Sequence, residues 1–173
     1  LVPTSQFIGT FTVGDKRAAE KGWFYSSWNG LEFTRPYIFK FFDESALADG
    51  KSGEDFPIIR YADVLLMLAE AACKGGETSD ADAIDALYQV RHRALPSYAK
   101  PSGITFDDVY KERVWELCFE AQNWYDILRT RKILDVANNR VVDVVGFKPI
   151  QHDSAFTADD LYFPYPLSET RLN

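Results

Sequence analysis

The sequence predicts a mainly α-helical protein, in which tetratricopeptide-like helix pairs follow an N-terminal aromatic β-hairpin and are joined by irregular loops. Three observations predict it. Ile58–Lys74 is apolar almost throughout and stops at Gly75-Gly76. Two later stretches, from Ser79 and from Thr105, keep apolar residues at helical spacing. Ahead of them, Asn29-Gly30 separates two aromatic-rich runs, which is the composition of a tight hairpin turn.

Residues 1–56 have weak helical periodicity and many turn formers, and are expected to supply the hairpin and loops. Its arms are Gly22–Trp28 and Leu31–Phe42. Pro36 lacks a backbone donor, so its arm is an edge strand or is interrupted there. Residues 43–56 are polar and glycine-rich and read as an exposed loop.

Residues 57–134 are expected to form a helical scaffold. Pro57 suits a first helical turn, and Gly75-Gly76 supplies the left-handed stop. Arg60, Asp63, Glu70 and Lys74 fall on one narrow stripe, so the first helix is expected to be wrapped by neighbours on its other sides. The second helix starts at Ser79, whose hydroxyl is placed to cap the N–H of Asp82, and ends before Pro96. Their combined repeat length approaches the ~34 residues of a tetratricopeptide unit. Leu65, Leu68, Ala69 and Ala72 match the first-helix pattern and are expected to face Ala83, Leu87 and Val90. The third helix has the clearest start: Thr105 and Asp108 form a capping box, and Ile104 can staple onto Val109. Its apolar spacing runs on through Leu117, Cys118 and Ala121, and a short helix around Trp124–Arg131 follows. Residues 135–173 read as irregular, with a short strand at Val141–Val145. Leu161–Pro166 is expected to be extended, because two prolines one residue apart forbid a helix.

A chain of 173 residues supports one domain with an adequate core, and 46% apolar residues argue against disorder. A net charge of −7 without a basic cluster disfavours nucleic acid and anionic membrane surfaces as partners. Arg60, Asp63 and Glu70 break the longest apolar run, which stays short of the ~18 residues of a membrane span. The first residues have neither the basic nor the apolar region of a signal peptide. Cys73 and Cys118 read as buried, unpaired thiols. A disulfide between them needs their Cα atoms within about 7 Å, a spacing the sequence leaves open.

Glu112, Glu116 and Glu120 share one helix face at successive i,i+4 positions. A carboxylate-bridged dinuclear metal site would also need Glu-x-x-His partners, and neither His92 nor His152 follows a glutamate by three. These acids are therefore expected to pair with arginines, Arg113 with Glu116 or Glu120, and to hold no metal. Arg60, Arg91, Arg93, Arg113 and Arg129 stand beside apolar stripes, where a planar guanidinium suits bidentate pairing between helices. No nucleophile elbow and no phosphate-binding glycine loop is present, so neither an enzyme nor a cofactor is expected.

The candidate recognition residues are Trp23, Tyr25 and Trp28, with Asn29 and Arg35 as polar partners. Sugars present apolar C–H faces rimmed by hydroxyls, which suit flat rings edged by amide and guanidinium groups. Two readings stay open: a stacking surface for sugar, or rings packed against the helices. Strand alternation opposes the first, since it sends Trp23 and Tyr25 to one face and Trp28 to the other unless the strand bulges. Trp115, Trp124 and Tyr125 are expected in the core.

The runs Arg60-Tyr61-Ala62-Asp63 to Ala71, Val90-Arg91-His92-Arg93-Ala94 and Glu112–Arg129, in this order, are joined by Phe163-Pro164-Tyr165-Pro166-Leu167-Ser168-Glu169. Together they resemble the C-terminal part of the SusD/RagB family, over residues 38–173 more closely than over residues 1–37. Pro36–Phe41 resembles the basic-aromatic strand that precedes these helices in the family. Asn123 stands where the family usually has arginine, and Ala121 where it usually has glycine. Members are surface lipoproteins of Bacteroidetes that bind nutrients above a transporter. The resemblance implies a single C-terminal domain fragment at the outer-membrane surface, attached through a lipid anchor that this chain lacks. It implies an oligosaccharide ligand, with a peptide as the alternative, and a SusC-like TonB-dependent transporter as partner. The motifs mark scaffold, so the resemblance assigns no binding residue.

Overall fold

A short N-terminal helix and an aromatic hairpin lie against a helical layer in a computed structural model, which describes residues 3–150 and 152–163. In chain order these are α1 (Ser5–Ile8), β1 (Phe24–Trp28), β2 (Leu31–Ile38), α2 (Tyr61–Cys73), β3 (Glu77–Thr78), α3 (Ala81–Ala94), β4 (Ile104–Thr105), α4 (Phe106–Glu116), α5 (Asn123–Thr130), β5 (Lys132–Asp135) and β6 (Arg140–Asp143). Helix outweighs strand, 36% to 16%, so the architecture is helix-dominant but mixed. The strands form three separate two-stranded antiparallel ribbons.

α2 begins three residues later than its apolar pattern suggests. Arg60 precedes it in an extended conformation, and its guanidinium reaches across to Glu116 and Glu120. Lys74 (φ 47°) and Gly75 (φ 79°) both turn left-handed and end the helix. Asp80 rather than Ser79 caps α3: its carboxylate accepts from the Ala83 N–H at 2.9 Å. A carboxylate also suits the positive helix N-terminus better than a hydroxyl does. α4 carries the expected capping box, with Thr105 Oγ1 accepting from Asp108 N at 3.2 Å and Asp108 Oδ2 from Thr105 N at 2.9 Å. It stops at Glu116, short of Leu117 and Cys118, because Phe119 (φ 67°) and Ala121 (φ 60°) turn left-handed before α5 starts.

The main core lies between α2, α3 and α4. Leu66, Ala69 and Cys73 pack against Ala83, Ile84, Leu87 and Val90, with Ile104 and Val109 closing one end. Leu65 and Ala72 reach this core from its edge, but Leu68 is 48% exposed, contrary to expectation. Leu66, Ala69 and Cys73 recur at i, i+3 and i+7 and define the buried stripe, which leaves Leu68 on the opposite side. α2 is therefore not wrapped on most sides, since Tyr61, Val64, Met67 and Leu68 all face solvent. A second core of Phe11, Phe24 and Trp115 joins the N-terminal segment to α4, with Phe7, Trp23 and Phe119 at its margin. A third, of Ile127, Val144 and Leu161, sits beneath the β5–β6 hairpin.

The second strand of that hairpin, β6, overlaps the short strand expected at Val141–Val145, while its partner β5 falls outside the sequence expectations. Asp135 shapes the hairpin turn by accepting from the Ala137 and Asn138 N–H groups, and Asn139 (φ 50°) completes the reversal. The helical part of the chain accordingly ends at Thr130, not at residue 134. Cys73 and Cys118 are both buried and free. Trp115 is core and Trp124 borders the third cluster, but Tyr125 is 64% exposed. Leu161 closes a 3-10 turn and is not extended, whereas Tyr162 is. Pro164–Glu169 lies outside the described residues.

Candidate functional site

The aromatic hairpin turns through Asn29 (φ 48°) and Gly30 (φ 81°), both left-handed as the Asn-Gly pair dictates. Its pairing runs in two registers. Tyr25 faces Tyr37, yet Ser27 faces Glu32, so β2 passes four residues, Phe33–Pro36, where β1 passes one, Ser26. Pro36, lacking a backbone donor, lies within this bulge. On its other edge, the Ser26 N–H donates to the Glu20 carboxylate at 2.9 Å.

The bulge decides which rings meet. Three residues apart, Tyr25 and Trp28 should point to opposite faces, but their centroids stand 6.3 Å apart in an edge-to-face pair. Phe33, Tyr37, Phe39 and Phe42 complete the patch, with Tyr25 at its centre and Trp28 against Phe42 at 4.6 Å. These rings are partly exposed, Tyr37 by 44%. The Lys21 ammonium lies 4.7 Å from the Trp28 ring centroid. The result is a surface of flat rings with two phenol groups and a cation at its border.

The five candidate residues do not assemble as one site. Trp23 leaves the patch and packs on the second core, between the Lys40 ammonium, 3.7 Å from its ring centroid, and the Arg17 guanidinium at 5.5 Å. Tyr25 and Trp28 share the ring patch. Asn29 is exposed at the turn tip. Arg35 sits in the bulge and lines a shallow depression of ≈ 410 Å³ with Thr4, Ser5 and Gln6. The rings that sequence reasoning missed, Phe33, Tyr37, Phe39 and Phe42, had a visible signal in the aromatic density of the second arm. A separate apolar cavity of ≈ 410 Å³, lined by Phe7, Val114, Ile133, Leu134 and Phe147, shares no residue with the patch.

Lys40, just past β2, ties the hairpin to a dense set of buried charges. Glu112 receives Arg17 at 2.6 Å and Arg91 at 2.8 Å. Glu116, fully buried, receives Arg17 at 3.0 Å, Arg60 at 3.1 Å and Arg93 at 2.7 Å. Glu120 receives Lys40 and, through Nη2 at 2.6 Å, Arg60. Arg17 also donates to Asp15 at 2.7 Å. Burial works against the charge on Arg17, but Asp15 and Glu112 hold its pKa above the ordinary guanidinium value. Burial works to raise Glu120, and the bonds from Arg60 and Lys40 overcome it, leaving the carboxyl below its usual range. Arg113 pairs elsewhere than expected: it donates to Asp126 at 3.0 Å and to Asp63 at 2.8 Å, because Glu116 and Glu120 already face other cations. With each carboxylate matched by guanidinium or ammonium donors, this cluster holds the fold. Among the described residues no group of three or more His, Cys, Asp or Glu is arranged to hold a metal ion. No helix among them is long and apolar enough to cross a membrane.

Comparison with known proteins gives a consistent set of matches. The family model described as SusD family matches residues 20–173. A SusD-like protein of Formosa agariphila is 28% identical across 99% of this chain and 32% of its own length. A SusD-like protein of Bacteroides ovatus is 36% identical across 48% of this chain and 16% of its own. The crystal structure of a SusD superfamily protein from Parabacteroides distasonis superposes with a TM-score of 0.84 at 34% identity, covering 99% of this chain and 40% of that one. The chain thus spans about a third of the length of the first of these curated relatives.

Proposed function

This chain belongs to the SusD family, and from that membership we propose that it serves in the non-catalytic capture of an oligosaccharide nutrient at the cell surface. It delivers that ligand to a SusC-like TonB-dependent transporter, at an outer membrane where a lipid anchor holds the complex. In this reading residues 1–173 act as one unit, a helical scaffold that carries the aromatic hairpin.

The observation that carries the reading is the patch of Tyr25, Trp28, Phe33, Tyr37 and Phe42. A pyranose ring is amphipathic and flat on one side. It gains most from rings that are already fixed in place, since little side-chain entropy is then lost on binding. Tyr25 and Tyr37 bring phenol hydroxyls to the patch, and Asn29 at the turn adds an amide. Arg35 belongs to the bulge and is assigned a second, peripheral contact.

A peptide or protein partner is the alternative, favoured by the exposed apolar stripe Tyr61, Val64 and Leu68 on α2. Titration calorimetry with a panel of glucans, xylans and host-type glycans, and with unrelated peptides, separates the two. Trp28→Ala is expected to weaken oligosaccharide binding by roughly 1–3 kcal/mol, the range of aromatic stacking on planar ligands, with little change in melting temperature. Parent-like sugar binding by Trp28→Ala and by Tyr25→Ala would remove the patch from the site.

A further inference from the structure

Residues 41–59 form a long, largely exposed connection between the aromatic hairpin and α2. Long connections with little secondary structure are commonly functional, and their geometry depends on how their ends are held. Both ends of this one are held at the same place. Lys40, just before it, donates Nζ to the Glu116 carbonyl at 2.6 Å, to the Cys118 carbonyl at 3.2 Å and to the Glu120 carboxylate. Arg60, just after it, donates Nη2 to the same Glu116 carbonyl at 2.9 Å and to the same Glu120 oxygen at 2.6 Å.

The shared Glu116 carbonyl is at the C-terminal end of α4, where carbonyls lack helical partners and the helix dipole favours cations, and Cys118 and Glu120 follow it in the turn beyond. The Lys40 side chain is 7% exposed and that of Arg60 27%, so water competes weakly. The two cations repel each other, and Glu120 between them converts that repulsion into closure. The pinned base then places rings. Phe42, two residues beyond Lys40, packs on Trp28 and Tyr25, while Phe41 meets the exposed Phe56 from the far side of the connection at 5.7 Å.

We propose that Lys40 and Arg60, through Glu120, are positioning residues that close the base of segment 41–59 and thereby set Phe42 against the hairpin rings as one recognition surface. This assignment rests on the oligosaccharide-binding reading for its functional half and on geometry alone for its structural half.

The test separates the two halves. Hydrogen exchange on Lys40→Met, Glu120→Gln and Arg60→Met, the less buried of the two cations, is expected to show β1–β2 amides and residues 41–59 exchanging at least tenfold faster, with α2–α3 amides unchanged. Should Lys40→Met fail to fold, Arg60→Met carries the comparison. Glu120→Gln is expected to act less strongly in a Lys40→Met background, since one of the two repelling charges is then gone. Unchanged exchange, or acceleration spread evenly over the chain, overturns the closure. Any oligosaccharide that the parent binds should bind the loosened variants at least tenfold more weakly. Parent-like affinity in a variant with a loosened segment overturns the positioning role. A parent that binds no oligosaccharide refutes the functional reading, while the exchange result still decides the closure.

Discussion

Replacing Glu116 by glutamine tests whether the buried charges hold the fold together. Glu116 is fully buried on α4 and its two oxygens receive Arg17, Arg60 and Arg93 at 2.7–3.1 Å. Glutamine keeps the volume but removes the charge. It also turns one acceptor into an N–H₂ donor that faces guanidinium donors. Arg17, only 2% exposed, cannot move its charge to water and keeps only Glu112 and Asp15. Breaking one partner of a buried pair costs about 3–5 kcal/mol, and that is the loss expected in a urea titration. Arg93→Ala supplies the contrast. It removes a bond to the same carboxylate, but from a side chain 58% exposed, so a loss of about 1 kcal/mol or less is expected. Added salt should shrink the smaller effect and leave the larger one nearly unchanged. A Glu116→Gln loss below ~1 kcal/mol, or equal losses for the two variants, would refute the reasoning that burial gives this network its weight.

Three further outcomes follow from the fold and are checked by denaturation or labelling. Leu66→Ala should cost about 2–5 kcal/mol and Leu68→Ala about 1 or less, since the first is fully buried and the second 48% exposed; similar losses would mean the buried stripe is misassigned. Ala121→Gly should stabilise the protein by up to about 1 kcal/mol, because Ala121 sits at φ 60°, where a Cβ is strained and glycine is not; a loss of stability would show that the turn is set by something else. Burial pushes the Cys118 thiol up to about 12. A raised thiol pKa gives stability that is complete below about pH 8.5 and drains away as pH climbs towards 12. Native protein at pH 8 should therefore leave Cys118 unalkylated by iodoacetamide, with full labelling in urea; rapid native labelling contradicts the burial.

The helical elements were legible because each carries a local signal. The capping box at Thr105 and Asp108 is a pattern of two residues three apart, and it appears as expected. Asn29-Gly30 is equally local, and its turn is left-handed at both positions. Errors arose where two adjacent choices differ only in tertiary context. Leu65, Leu66 and Leu68 are all leucines on one helix, and only the position of α3 decides which of them is buried. Ser79 and Asp80 are both good caps, and the winner depends on where α3 begins. The site was legible only in part. Strand alternation separated Tyr25 from Trp28, and the bulge that reunites them depends on pairing between strands. Arg17 gave no signal at all, since its partners Glu112 and Glu116 lie on a helix far along the chain. The resemblance supplied what local patterns could not: glycine is usual where Ala121 stands, and the left-handed turn there supplies the physical reason.

The distance along the chain between Arg17 and its acceptors also has a consequence in time. Arg17 meets Glu112 across 95 residues and Thr10 meets Trp115 across 105. At a synthesis rate of ~5–20 residues per second, the N-terminal segment waits roughly 5–20 s for α4 to be made. α2 and α3, neighbours in sequence, can meet as soon as both have emerged. Contacts of high sequence separation close slowly, so refolding is expected to begin with the α2–α3 pair. The N-terminal segment then docks last, and the aromatic hairpin gains its support only when α4 arrives beneath it.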